Sequence, residues 1–133
     1  MEDVRRGSAT LIPMSDWKAR YESAADDEAG AYARLPVARL LDDIRRRRTG
    51  GYSTIWGALA ERATPEEAGW VLYEYLLSDQ PYLERYHCAS ALLRILRCTE
   101  FEAVELSASW PVVGSNLARL RNILEETVGL PGR

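Results

Sequence analysis

Apolar residues recur along this chain at the spacing of helices. Val37, Leu40, Leu41 and Ile44 fall at i, i+3, i+4 and i+7, which aligns their side chains on one helical face. Pro36 opens that run, where a proline's missing N–H costs little. Tyr52, Ile55, Trp56 and Leu59 repeat the spacing and Ala63 extends it, predicting another helix that Gly57 weakens by up to about 1 kcal/mol relative to alanine. Upstream, Ser15 before Asp16, Trp17 and Tyr21 reads as an N-cap, an acidic first turn and an aromatic i, i+4 pair, the start of a first helix. The run Asp26-Asp27-Glu28-Ala29-Gly30 is expected to end or bend it. Residues 1–14 carry no period and are expected to form an extended or frayed arm. No segment alternates with period two for long enough to make a strand.

The clearest local signal is a hairpin from Thr64 to about Leu96. Thr64-Pro65-Glu66-Glu67 combines a capping hydroxyl, a proline at the first helical position and a glutamate able to reach back to the cap N–H. The helix that follows carries Ala68, Val71, Leu72, Tyr75 and Leu76 on one face and Trp70, Tyr73 and Leu77 on a second. A helix apolar on both sides is either covered by neighbours all round or keeps one face for a partner. Ser78-Asp79-Gln80-Pro81 supplies the turn, with Asp79 as N-cap. From Tyr82 to Leu96 apolar residues cover most of the circumference, predicting the central buried helix, with Glu84, Arg85, Ser90, Arg94 and Arg97 as a narrow wet strip.

Thr99-Glu100-Phe101-Glu102 reads as a second capping box, opening a short helix that must break at Trp110-Pro111. Val113, Leu117, Leu120, Leu124 and Val128 then mark a long C-terminal helix closed by Gly129 and Pro131. The pattern as a whole is all-α: a compact single-domain bundle of about six or seven helices spanning residues 1–133.

Composition agrees. A chain of 133 residues, 47% hydrophobic and 28% charged, lies in the globular range. At this size roughly two-thirds of the unfolded chain's surface is buried, so no disulfide or metal is needed. The net charge of −3 and pI near 5.3 argue against a general affinity for nucleic acid or an anionic membrane. No apolar run approaches the roughly 18 residues of a membrane span, and no signal peptide is evident, so a cytoplasmic location is expected. Cys88 and Cys98 read as small core residues; on one continuous helix they would stand about 15 Å apart, beyond disulfide reach.

Leu76-Leu77-Ser78-Asp79-Gln80-Pro81 through Arg85, Ala89, Ala91 and the pair Leu92-Leu93 resembles the turn and second helix of a HEAT-type repeat. It has one residue more than usual between Pro81 and Arg85, and no second copy follows at the period of about 40 residues such arrays require. The resemblance therefore implies HEAT-like antiparallel hairpin packing rather than a solenoid. Tyr52-Ser53-Thr54-Ile55-Trp56 followed by the Thr64 hairpin also resembles, in style, the small acidic helical immunity proteins that bacteria make against toxins. That resemblance implies direct binding to a toxin domain and no cofactor.

Candidate chemistry is thin. Glu84 and His87 have the E-x-x-H spacing of di-iron bundles, but those sites need two such motifs and His87 is the only histidine. Adjacent Cys88 and His87 diverge by about 100° on a helix, which defeats a nucleophile–base pair. Gly50-Gly51, after a helix and without a phosphate-loop lysine, reads as a left-handed cap and turn. No catalytic, metal or cofactor motif emerges, and the chain is expected not to be an enzyme. The run Arg45, Arg46, Arg47 and Arg48 reads first as a solvated helix end attracted to the dipole, then as a site for an acidic protein, and last as a phosphate-binding run beside Tyr52 and Trp56. Trp56, Trp70, Tyr73, Tyr75, Tyr82 and Tyr86 are either core or interface anchors. The expected function is a non-enzymatic protein-binding module, with an immunity protein as the form the resemblance implies, and with Trp70, Tyr73, Leu77, Arg45, Arg46, Arg47, Arg48 and Tyr52 as partner-binding residues. The alternative is a nucleic-acid-associated regulator using Arg45 to Arg48.

Overall fold

The computed structural model describes residues 14–108 and 114–131. Within them all regular structure is helical: α1 (Met14–Ala33), α2 (Val37–Arg45), α3 (Thr54–Arg62), α4 (Pro65–Leu77), α5 (Tyr82–Leu96), α6 (Val104–Ser107) and α7 (Gly114–Val128). The arm expected over residues 1–14 lies, as far as residue 13, outside the described residues. So do the break at Trp110-Pro111 and Val113.

The hairpin of α4 and α5 is the most extensively packed pair. Around it, α3 lies against α5 with α1 stacked on α3, α2 crosses α4 and α3, α7 covers α4, and α6 lies against α5. One cluster joins α2 to α7, with Leu40, Ile44, Ile55, Leu59, Leu72, Leu92 and Leu120 at its fully buried centre. Cys88 on α5 donates its thiol to the carbonyl of Leu72 on α4 at 3.3 Å. Total burial pushes that thiol well above its ordinary range, which makes it an inert packing group.

Local sequence accounts for several boundaries. The Thr64 hydroxyl accepts from the Glu67 N–H at 3.2 Å while the Glu67 carboxylate accepts from the Thr64 N–H at 3.0 Å, completing the capping box. Gly129, at φ +91°, ends α7 where a left-handed cap was expected. Gly69 lets α7 approach α4: a Cβ there would stand 2.8 Å from Cδ2 of Leu124.

Other boundaries differ from expectation. Helix α1 does not stop or bend at residues 26–30 but runs on to Ala33. Its Glu28 is held by the 51–54 loop, where the N–H of Gly51 donates to the carboxylate at 2.7 Å and the N–H groups of Tyr52 and Thr54 and the Thr54 hydroxyl donate too. Burial alone would raise the Glu28 pKa; the Thr54 hydroxyl and the Gly51, Thr54 and Tyr52 N–H groups outweigh it and hold the carboxyl below the ordinary 4.5. The cap of α2 is not Gly50-Gly51. Arg47 takes the left-handed conformation at φ 61°, and the N–H of Arg48 reaches the Asp43 carbonyl while that of Arg47 reaches Ile44, a Schellman closure. Arg97 closes α5 in the same way at φ 55°. The turn before α5 uses Pro81 as its N-cap position, with no side-chain cap, rather than Asp79.

The second capping box is displaced as well. After the Arg97 turn the chain stays irregular long enough to bury Phe101, and α6 begins only at Val104; the Glu102 N–H donates to the Glu105 carboxylate at 2.7 Å. Thr99 therefore caps nothing.

Candidate interaction surface

Helix α4 has neighbours on three sides, α2, α5 and α7, and its second apolar stripe is turned onto α7. Tyr73 is 6% exposed and donates its hydroxyl to the Leu117 carbonyl at 3.1 Å. Trp70 is half-buried, meets Tyr73 edge to face at 5.6 Å and donates its indole N–H to the Gly129 carbonyl at 2.9 Å. Of the stripe proposed for a partner, Trp70 and Tyr73 thus act as intramolecular packing for the C-terminal helix. Only Leu77, 46% exposed, projects from the end of α4.

The arginine run does not form one face. Arg45 lines a groove of about 480 Å³ with Glu66, Glu74 and Trp70. Arg46 pairs with Asp42 at 3.0 Å, one turn back on its own helix. The Arg47 guanidinium bonds the Ile44 carbonyl at 2.9 Å and lies over the Tyr75 ring at 5.2 Å. Arg48 is exposed. Consecutive residues point in different directions around a helix end, and each guanidinium finds a different environment. Tyr52 precedes α3 instead of starting it and packs edge to face against Tyr21 at 5.1 Å.

The open face is on α5. Leu83, Tyr86, His87, Ser90 and Arg94 recur at i, i+3, i+4, i+7 and i+11, which forms a stripe of about 17 Å along the outer side. Tyr82, Leu83 and Tyr86 are 48, 58 and 37% exposed. Tyr82 and Tyr86 lie side by side, ring centres 6.3 Å apart, and Tyr86 meets His87 edge to face at 5.7 Å. On the α3 side the stripe borders a cleft of about 220 Å³ lined by Ser53, Trp56, His87, Ser90 and Arg94. Toward α6 it borders a shallower groove reaching Cys98 and Phe101.

Two polar residues expected on a wet strip are placed elsewhere. Glu84 faces α3, where its carboxylate accepts the Trp56 indole N–H at 3.1 Å and the Ser53 hydroxyl at 2.9 Å. Arg85 turns inward to 9% exposure; its nearest acceptor is the Ala108 carbonyl at 3.5 Å, and its buried Nε has no partner. No ion pair among the described residues engages it. The stripe was legible in principle, since its helical spacing runs from apolar Leu83 to charged Arg94, a mixture that a buried face does not tolerate.

Among the described residues no three His, Cys, Asp or Glu side chains converge as a metal site would need, and no helix is long and apolar enough to cross a membrane. The chain matches no family model, no curated protein and no solved structure.

Proposed function

We propose that this chain is a non-enzymatic protein-binding module that docks through the outer face of α5, with Leu83 and Tyr86 as anchors and Tyr82 and Leu77 beside them. The observation that supports it is the cluster of exposed aromatic and aliphatic side chains at one end of the central hairpin. Contiguous exposed apolar surface is unusual on a free-standing domain, and tyrosines are favoured as interface anchors. A cytoplasmic immunity protein that covers a toxin domain is the particular form favoured by the acidic, helical, motif-poor character of the chain. The nucleic-acid alternative draws less support, because the four arginines it would use share no face.

Co-expression with the product of the adjacent reading frame tests the immunity form. The wild-type chain should restore growth, and a Leu83→Ala, Tyr86→Ala double variant with unchanged thermal unfolding should not. Equal protection by both would discard the α5 surface; no growth defect from the neighbouring product would discard that toxin as the partner.

A further inference from the structure

The outer stripe of α5 has a polarity along its length. Its N-terminal half offers Tyr82, Leu83 and Tyr86; its C-terminal half offers His87, Ser90 and Arg94, with Arg97 just beyond the helix end. Arg94 and Arg97 are exposed, and no ion pair among the described residues engages either. Two acids of the same region are engaged elsewhere. Glu84 is bonded to Trp56 and Ser53, and Glu100 pairs with Arg119 at 3.4 Å. Glu102 lines the α6-side groove together with Arg94 but makes no ion pair to it. On a chain of net charge −3, this leaves a stripe whose only ionised side chains are cationic. The helix dipole favours cations at this end, but it does not account for Arg94 standing in line with Leu83 and Tyr86.

We infer that the occupant of this face is an acidic amphipathic segment of a partner protein, its apolar side chains seated on Tyr82, Leu83 and Tyr86 and its carboxylates on Arg94 and Arg97. This rests on α5 being the docking surface and adds the chemistry of what docks there. Guanidinium groups suit carboxylates because they donate two parallel hydrogen bonds. Exposed rim charges of this kind steer association and select the partner's sign more than they raise affinity.

The test uses a displayed library of randomised peptides about twelve residues long, selected on the full chain. Enriched peptides should combine Asp or Glu with aliphatic or aromatic residues. The strongest, resynthesised, should bind an Arg94→Glu, Arg97→Glu variant about tenfold or more weakly, and the difference should shrink at about 0.5 M salt. Both positions are exposed, so this variant retains the core. Neutral or basic enriched peptides, or equal binding to the charge-reversed variant, overturn the acidic occupant. The Leu83→Ala, Tyr86→Ala variant separates the two levels: peptides that bind it as well as wild type, or no enrichment at all, overturn the docking surface itself.

Discussion

Helices α4 and α5 are the two arms of one hairpin and both are rich in apolar residues, yet they meet the rest of the molecule differently. The arm with two apolar stripes, α4, is covered on both, by α5 and α2 and by α7. The arm that looks apolar nearly all round, α5, is packed by α4, α3 and α6 yet leaves Tyr82, Leu83 and Tyr86 exposed at its N-terminal outer face. The difference lies in the covering elements. Helix α7 has fifteen residues to lay along α4, whereas the helices flanking α5 are shorter, nine residues in α3 and four in α6, and leave Tyr82, Leu83 and Tyr86 exposed. A helix face is core or surface according to the length of chain that returns to cover it, and that is a tertiary property.

The largest test of this contrast substitutes one tyrosine on each arm. Tyr73→Ala removes a buried ring and its hydrogen bond to Leu117 and should cost about 3–4 kcal/mol in urea unfolding, as buried aromatic truncations do. Tyr86→Ala should change stability by no more than about 0.5 kcal/mol. Comparable losses at the two positions would erase the distinction between the arms.

A smaller effect of opposite sign is expected at Arg85, where α5 buries a charge without a carboxylate partner among the described residues. Arg85→Met retains the length of the side chain and removes the desolvated charge, and should raise stability by about 1 kcal/mol. A loss instead would mean that the guanidinium does more for the α5–α6 junction than its single long bond to Ala108 suggests.

Below that lie the two left-handed arginines. Arg97→Gly relieves the positive-φ strain at the end of α5 and should add about 0.5–1 kcal/mol. Arg47→Gly relieves the same strain but loses the Ile44 bond and the Tyr75 ring contact, so its thermal midpoint should rise less. Equal gains would show that the Arg47 contacts contribute nothing.

The smallest expected change is in pH dependence. Glu28 fixes the loop that leads into α3, and Ser53 of that loop and Trp56 of α3 hold Glu84 of α5. Its folded pKa is depressed, so the stability it contributes is complete above the ordinary value of 4.5 and is lost as pH falls through the folded value. Glu28→Gln should therefore flatten the acid limb of the stability curve below about pH 5. An unchanged limb would assign acid sensitivity to other carboxylates.

Much of the architecture was legible before any tertiary information. The i, i+3, i+4, i+7 runs place the start of α2 and the spans of α3, α4, α5 and α7 to within a residue or two, because a helical repeat must present its apolar residues on one side; the end of α2 comes earlier than its arginine run implies. Thr64 and Glu67 place the start of α4, because both partners of the capping box lie within four residues. The end of α1 is not legible locally, since the residue that helps to fix that segment, Glu28, is bonded to a loop 23 to 26 positions away. Gly50 is the natural choice for a left-handed cap, but Arg47 occupies the cap of α2, and Gly50, also at positive φ (+77°), serves the loop that closes on Glu28 and Tyr32. A Cβ at Gly50 would fall 2.5 Å from the Glu28 carboxylate. Of the residues expected to meet a partner, Leu77 is exposed as a surface anchor would be, while Tyr73 is bonded to α7 and Trp70 to Gly129 at its end, both more than forty positions further on.

The sequence by itself determined the all-helical class, most helix boundaries and the hairpin, because periodicity, caps and turns act over a few residues. The tertiary structure alone decided which face of which helix is covered, which arginine is buried and which acid is turned inward. Those outcomes depend on where distant segments return, and local spacing carries no record of that.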